Sequence, residues 1–486
     1  MSTITLPRFA AAALLPLSFC LAACGAPNLG PRPKLNVPAD LASSSSLTSD
    51  ASAREWPRDQ WWTAYGDTQL DALVAEALAG SPSVAAAQAR IRQARGAAEI
   101  SGAASLPSVT GQGSLVEAKQ SYNAGTARQF LPQGWNEVGT LALSADFDLD
   151  LWGKNRKALA AATSQAEAAV ADARQAELML SSNVVSSYFD LARLIERGRA
   201  LQDAVTARGT LLDLTSRRAQ QGVDNQAPVR RAEAEIASAR AAVAANDQQI
   251  ALRRHALAAL LGAGPDRGLS INPGSIAAIP VVGIPADAGI QLAGRRPDIV
   301  AARLRAQAAA KRIDVAKAEF MPDISISGLI GLRALGIGKI FDSGSDYGNV
   351  GPAISLPIFQ GGRLKGQYRQ ARGTYDEAVA NYNSTVVNAL QEVADGLTSR
   401  DSAIVQERET QAASTAAAAS YDLSDKRFRG GLSNYLDTLN AQTAALDART
   451  SGIDAHFRTL AYEVALKRAL GGGFTYDSKQ KASDHE

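Results

Sequence analysis

Two stretches of this 486-residue chain carry the same punctuation in the same order. Ser81-Pro82-Ser83-Val84 is answered by Arg296-Pro297-Asp298-Ile299, and Leu106-Pro107-Ser108-Val109 by Met321-Pro322-Asp323-Ile324, both at an offset of 215 positions. From Gly153-Lys154 against Gly362-Arg363 onward the offset is 209. It pairs Ala169-Val170-Ala171 with Ala378-Val379-Ala380, Gly222 with Gly431, Asn225 with Asn434, and Gly262 with Gly471. Alanine-rich helices resemble one another by chance, but chance does not hold proline, glycine and asparagine in register over most of a chain. The fold must be one unit built twice.

Each copy has the same internal order. A helix (67–104 and 286–319) leads into two strands joined by a Gly-rich loop (106–117 and 138–151; 321–333 and 348–359). A very long helix follows (153–220 and 362–429), then a tight turn and a last helix (226–262 and 435–470). This gives a first repeat at 61–262, a second at 286–471, a Pro-rich equatorial connector at 263–285 and a tail at 472–486. In the long helices Val184, Tyr188, Leu191 and Ile195, and again Val386, Leu390, Val393, Leu397 and Ile404, recur at coiled-coil-like spacing. These are core residues and nothing more. Alanine is abundant and aromatics make up only 6%, which favours closely packed helices over a bulky globular core. At 1.5 Å per residue each long helix predicts a rod on the order of 100 Å. The two shorter helices of a copy, laid end to end beside it, match that length.

The strands are stricter in what they demand. In 140–151, Leu141, Leu143, Ala145, Phe147, Leu149 and Leu151 alternate with Thr140, Ser144, Asp146, Asp148 and Asp150. A charge facing lipid costs about 2–4 kcal/mol at the midplane, less for acids. The apolar face therefore meets lipid or a dry core, and Asp146, Asp148 and Asp150 meet water, as lumen residues if the strands form a barrel. The chain has no sequence for a second sheet to cover that apolar face. Four strands cannot close a barrel, and open edges cannot face hydrocarbon. If these strands span a membrane, several copies must pool them.

The N-terminus reads as an export signal, residues 1–23, with Arg8 ahead of a short apolar stretch. It ends in Leu21-Ala22-Ala23-Cys24, the pattern of a lipoprotein processing site, which makes Cys24 the expected lipidation site and new N-terminus. Cys20 and Cys24 are the only cysteines, so the mature chain can form no internal disulfide. Gly25 stands where an aspartate commonly signals inner-membrane retention, so outer-membrane sorting is expected. Residues 24–60, rich in proline and serine, read as a lipid-anchored tether. No later stretch offers 18 uninterrupted apolar residues for a membrane-spanning helix.

Enzyme chemistry finds no foothold. His255, His456 and His485 lie far apart without metal-ligand spacing. Gly336-Ile337-Gly338-Lys339 lacks the spacing of a phosphate loop, and Gly262-Ala263-Gly264 follows a helix rather than a strand. No catalytic residue, metal or cofactor is expected. A net charge of +2 gives no reason to expect nucleic-acid binding. No nucleotide-binding motif is found in the sequence.

Taken in order, Leu21 to Cys24, Gly30-Pro31, Trp61-Trp62 with Tyr65, Asp67 and Leu70, the Asp150-Leu151-Trp152-Gly153 strand exit and its counterpart Pro357-Ile358-Phe359 with Gly361-Gly362-Arg363 resemble the TolC-like outer-membrane efflux proteins, in their NodT- or OprM-type lipoprotein branch. The resemblance covers 24–472. It implies a mainly α protein with a membrane β part: a homotrimer whose pooled strands make a 12-stranded outer-membrane barrel on a periplasmic α-helical barrel. It implies a passive exit duct, docked to a periplasmic adaptor protein and an inner-membrane pump of RND type, with outer-membrane lipid around the barrel. It places the tip turns at Gly222, Asn225, Gly431 and Asn434, and the periplasmic aperture at Leu436, Asp437 and Asn440. Asn440 and Pro228 depart from the family pattern, which carries aspartate at those places in many members. The two tips are accordingly expected to differ, a stiff first turn beside an adjustable second one. A type I protein-secretion duct, or a poreless coiled-coil lipoprotein, are the competing readings.

Overall fold

The protein is described by a computed structural model over residues 26–42, 46–47, 56–274 and 288–476. The signal segment, Cys24, residues 275–285 of the connector and the last ten residues lie outside the described residues.

The duplication is plain in the element order. In the first copy, α1 (Thr68–Gly80) and α2 (Pro82–Ala103) precede β1 (Ser108–Ala118) and β2 (Asn136–Asp148), followed by α3 (Lys154–Gln220) and α4 (Ala227–Leu260). In the second, α5 (Ala288–Arg295) and α6 (Pro297–Ala318) precede β3 (Asp323–Leu335) and β4 (Asp346–Ser355), followed by α7 (Arg363–Arg429) and α8 (Tyr435–Ala469). The helices α3 and α7 have 67 residues each.

One expectation needs correction. The leading helix of each copy is two helices, not one, and the break falls at Ser81-Pro82 and Arg296-Pro297. Proline has no N–H to give and crowds the backbone before it, so Ser81 stays extended at φ −71°, ψ 127°. Pro82 then opens α2 at the first position, where the missing N–H costs nothing, and the pair bends by 44°. At the other end of α1, Asp67 caps by accepting from the backbone N–H groups of Gln69 and Leu70 at 2.9 and 3.1 Å.

The four strands form one antiparallel meander, β1-β2-β3-β4. Its register places Val109, Ala145, Gly328 and Val350 in one row, and Gly111, Leu143, Ile330 and Gly348 in another. Intervening rows carry Thr110, Ser144, Leu329 and Asn349, or Ser108, Asp146, Ser327 and Gly351, polar but for the one leucine. One face is thus apolar and the other polar, as the alternation predicts. The apolar face is bare, like the polar one: Val109, Leu143, Ile330 and Val350 are 55–82% exposed. It does not pack on the protein's own core. The outer ladders of β1 and β4 are unpaired among the described residues.

The chain divides into two compact units. One holds the sheet, within 91–169 and 302–382, together with 26–35; its core is Ile313, Ala316, Phe320, Leu364 and Tyr368. The other comprises 36–90, 170–301 and 383–476, with a core built from Leu70, Leu73, Val184, Tyr188, Leu191, Leu257 and Val464 among others. Val184, Tyr188 and Leu191 are the predicted seam residues, wholly buried. A leucine or valine so placed contributes about 1.5–3 kcal/mol.

The tether expectation is changed in part. Residues 29–33 belong to no helix or strand, with Gly30 at φ +77°, and are pinned rather than loose. Leu29 packs on the Phe320–Tyr368 core, Arg32 pairs with Asp314, and Tyr375 Oη donates to the Pro33 carbonyl at 3.1 Å. Arg372, 7% exposed, donates to the carbonyls of Gly30 and Pro31 while also binding Asp376.

Candidate functional site

The predicted lumen aspartates divide at the foot of the sheet. Asp146 lies within β2 on the polar face and is exposed. Asp148 is the last strand residue, and its carboxylate accepts from Asn155 Nδ2 at 2.9 Å and lies 3.6 Å from Lys154 Nζ. Asp150 is not on the strand at all, which ends two residues earlier. It adopts φ +44° and turns its carboxylate back to accept from the backbone N–H groups of Asn155 and Arg156, both at 3.0 Å. Its lumen assignment therefore fails: the chain must swing from sheet into helix here, and Asp150 satisfies two otherwise orphaned donors of α3. Burial alone would raise its pKa, but those two N–H groups and the Arg156 guanidinium together hold it below the ordinary carboxylate value.

At the opposite end of the long helices the two turns are built alike. Gly222 (φ +75°) and Gly431 (φ +72°) follow α3 and α7 in left-handed conformation. In each, the next residue reaches back over the helix end: Val223 N–H to the Arg218 carbonyl, 2.9 Å, and Leu432 N–H to the Arg427 carbonyl, 2.8 Å. Asn225 Oδ1 then accepts from Ala227 N–H, and Asn434 Oδ1 from Asp437 N–H, both at 2.9 Å. The matched Gly and Asn of the repeat thus have one physical job, to end one helix and begin the next.

The turns differ in how they are stapled. Arg218 Nε donates to Asp224 Oδ2 at 2.6 Å, and its guanidinium lies 5.3 Å from the Phe428 ring centroid. Phe428 in turn packs edge-on against Tyr435 in a small core with Leu211 and Leu439. At the 209 offset, Arg427 matches Arg218 but Ser433 stands where Asp224 would be. The second turn has no equivalent ion pair among the described residues. In the first turn of α8, Leu436, Asp437 and Asn440 are all exposed, whereas Tyr435, Thr438 and Leu439 are buried. The three predicted aperture residues share one open face.

The sequence reading missed a buried charged cluster beneath Trp61 and Tyr65. Arg400, Glu463 and Lys467 are only 2–3% exposed. Arg400 Nε lies 3.9 Å from Glu463 Oε1, and Lys467 Nζ sits 4.2 Å from the Tyr65 ring centroid and 5.7 Å from that of Trp61. Burial pushes the Lys467 ammonium down to about 8, with the Glu463 carboxylate acting the other way. A Glu and a Lys four apart on a helix read as an ordinary surface pair, so nothing in the pattern betrays their burial. No group of three or more His, Cys, Asp or Glu side chains is arranged for a metal among the described residues.

Comparison with known proteins bears directly on this arrangement. The family described as outer membrane efflux protein matches residues 73–263 and 290–472, one span for each copy of the repeat. The fusaric acid resistance protein FusA of Burkholderia cepacia is 35% identical over 74% of this chain and 68% of its own length. The multidrug resistance outer membrane protein MdtP of Shigella flexneri is 31% identical, covering 86% of this chain and 87% of its own. Among solved structures, the outer membrane protein VceC of Vibrio cholerae superposes with a TM-score of 0.81 at 40% identity, over 86% of this chain and all of that one. A bare apolar sheet face, two unpaired edges, a twofold repeat and these matches converge: the chain is an outer-membrane channel and belongs to the outer membrane efflux protein family.

Proposed function

We propose that the protein works as a homotrimer, the exit duct of a tripartite export system, passively conducting small molecules delivered by a periplasmic adaptor and an inner-membrane pump of RND type. The observation that carries this reading is the sheet: strands of 10–13 residues, long enough to cross a bilayer, with one apolar face bare and both edges open. Three such sheets joined edge to edge close a barrel and leave no backbone group unpaired in hydrocarbon. The names of FusA and MdtP favour export of small toxic molecules over protein secretion as the working hypothesis. The chain carries no chemistry of its own in this scheme.

Within the duct, Asp146 faces the barrel lumen, and Leu436, Asp437 and Asn440 line the periplasmic aperture. The stapled first tip is the fixed member and the unstapled second tip the moving one. Cys24 is lipidated and anchors the chain beside the sheet, because Leu29, five residues on, is packed against Phe320, just ahead of β3. The decisive experiment is native mass spectrometry of detergent-solubilised protein, paired with single-channel recording in planar bilayers. Three copies per particle and ion conductance are expected. A folded, membrane-stable monomer with no conductance would overturn the reading.

A further inference from the structure

The β1–β2 loop is built around one aromatic ring. Tyr122 is held in place by a hydrogen bond from the Gly134 N–H to its hydroxyl at 2.8 Å. The Arg128 guanidinium stacks 4.9 Å from the Tyr122 ring centroid, and Lys119 Nζ lies 5.8 Å from it. Gln133 completes the frame, donating to the carbonyls of Arg128 and Leu131 while accepting from Arg128 Nε. Two like charges are therefore held on a single ring, both exposed, and neither makes an ion pair among the described residues. No Asp or Glu occurs between Lys119 and Asn136. The nearest acids, Glu117 and Glu137, face one another across the strand ladder, and Glu137 accepts from the Ile337 N–H.

Two cations kept together without a counter-ion mark a place for an anion to supply one. The surroundings identify its carrier. Lys119 and Trp135 lie just past the paired ladder, which ends at Ala118 and Asn136, and continue the odd-numbered alternation of Val109, Leu115, Leu141 and Leu143, with the Glu117–Glu137 row between them and the apolar stretch. Phe130 and Trp135 are 75% and 69% exposed, the rings an interface between hydrocarbon and headgroups accommodates. This loop lies at the end of the sheet away from α2, α3, α6 and α7, which join the other strand ends. We propose that Lys119 and Arg128 form a docking site for a phosphorylated glycolipid of the outer leaflet, with its phosphate on the paired cations and its acyl chains along the apolar sheet face.

This rests on the placement of the sheet in the outer membrane and not on what the channel exports. The test uses the assembled full-length protein in detergent, titrated with an acylated diphosphoryl disaccharide and followed by native mass spectrometry. The wild type should retain this lipid and bind its enzymatically dephosphorylated form about tenfold less well or worse. The double variant K119Q/R128Q should lose that preference, and Tyr122→Leu, which keeps both charges but removes their platform, should weaken it. Single-channel conductance of both variants should be unchanged, which separates this site from the duct itself and reports folding. Equal binding of the two lipid forms, or an unaltered preference in K119Q/R128Q or Tyr122→Leu, overturns the proposal. Displacement of the glycolipid by millimolar inorganic phosphate would make this a free-anion site and overturn it equally.

Discussion

Gly471 approaches Arg295 so closely that a Cβ on it would lie 1.9 Å from the Arg295 carbonyl oxygen. The first copy repeats the contact, with Gly262 placed so that a Cβ would meet the Gly80 carbonyl at 2.5 Å. Both glycines end the last helix of a copy in left-handed conformation, φ +88° and +74°, and both press on the C-terminus of that copy's leading helix. The proline break that ends α1 and α5 brings those carbonyls to this place. Matched glycine and matched proline in the repeat are two sides of one contact.

Gly471→Ala should therefore lower stability by at least about 2 kcal/mol, from steric overlap with backbone and from a strained φ together. Gly262→Ala should cost somewhat less, since its neighbour is further away. Gly264→Ala, at φ −67° with nothing within 4 Å, should stay within about 0.5 kcal/mol of wild type. Apparent melting temperatures by circular dichroism in detergent check the order. A Gly471→Ala protein as stable as Gly264→Ala would refute the packing argument.

Lys467 gives a pH signature of definite sign. Its folded pKa, about 8, lies below the ordinary lysine value of 10.5. Between those values the unfolded chain holds a proton that the folded protein has released, so stability rises as pH climbs from 8 toward 10.5. Below pH 8 both states are protonated and the fold bears the cost of the buried ammonium, on the order of a few kcal/mol. Lys467→Met should melt higher than wild type at pH 7, with the gap closing by pH 10. A constant gap across that range would assign the difference to packing alone.

Asp150 combines a left-handed backbone with two capping bonds, so its replacements separate the two effects. Asp150→Ala should lose about 1–2 kcal/mol, by forfeiting the cap and keeping the strain. Asp150→Asn retains an acceptor oxygen and tolerates the backbone, and should lose clearly less. As pH falls toward and through the depressed Asp150 pKa, the wild type should approach Asp150→Ala in stability, since a lowered carboxylate pKa stabilises only while the group is ionised. Thermal melts at pH 7 and pH 3 distinguish these cases.

The two tips offer a functional test. Removing the staple with Asp224→Ser makes the first turn resemble the second, which already has Ser433. If the stapled turn is the fixed one, this variant should raise single-channel open probability, and Ser433→Asp, which supplies Arg427 with a partner, should reduce it. Asp437→Ala should weaken cation preference, because like charges repeated around one axis attract counter-ions. Unchanged recordings from all three would return these residues to the solvated surface.

The fold was legible because its signals are long-range and redundant. Offsets of 215 and 209 hold Pro82 to Pro297 and Gly222 to Gly431, and the alternation from Leu141 to Phe147 fixes which face is bare. The tip residues came from the resemblance alone; the structure adds that Leu436, Asp437 and Asn440 are exposed on α8 while Tyr435, Thr438 and Leu439 are buried. What escaped was local. By pattern Pro82 is repeat punctuation within one helix at 67–104, although it carries the break. Asp150 continued an alternating pattern by sequence alone, and only its φ of +44° shows that the strand had ended. Lys467 was invisible, because burial of a single charge leaves no periodicity.

If three copies join their sheets into a ring as proposed, the open edges of β1 and β4 have a genetic consequence. A ring of sheets is complete only when every edge meets a competent neighbour. One copy with a ruined edge, such as a proline placed mid-strand in β1, which has none, spoils the whole ring it enters rather than its own share of it. Such an allele should be dominant over wild type in a cell expressing both, and its severity should climb with the proportion of faulty copies far more steeply than their number alone. A null allele, which enters no ring, should be recessive.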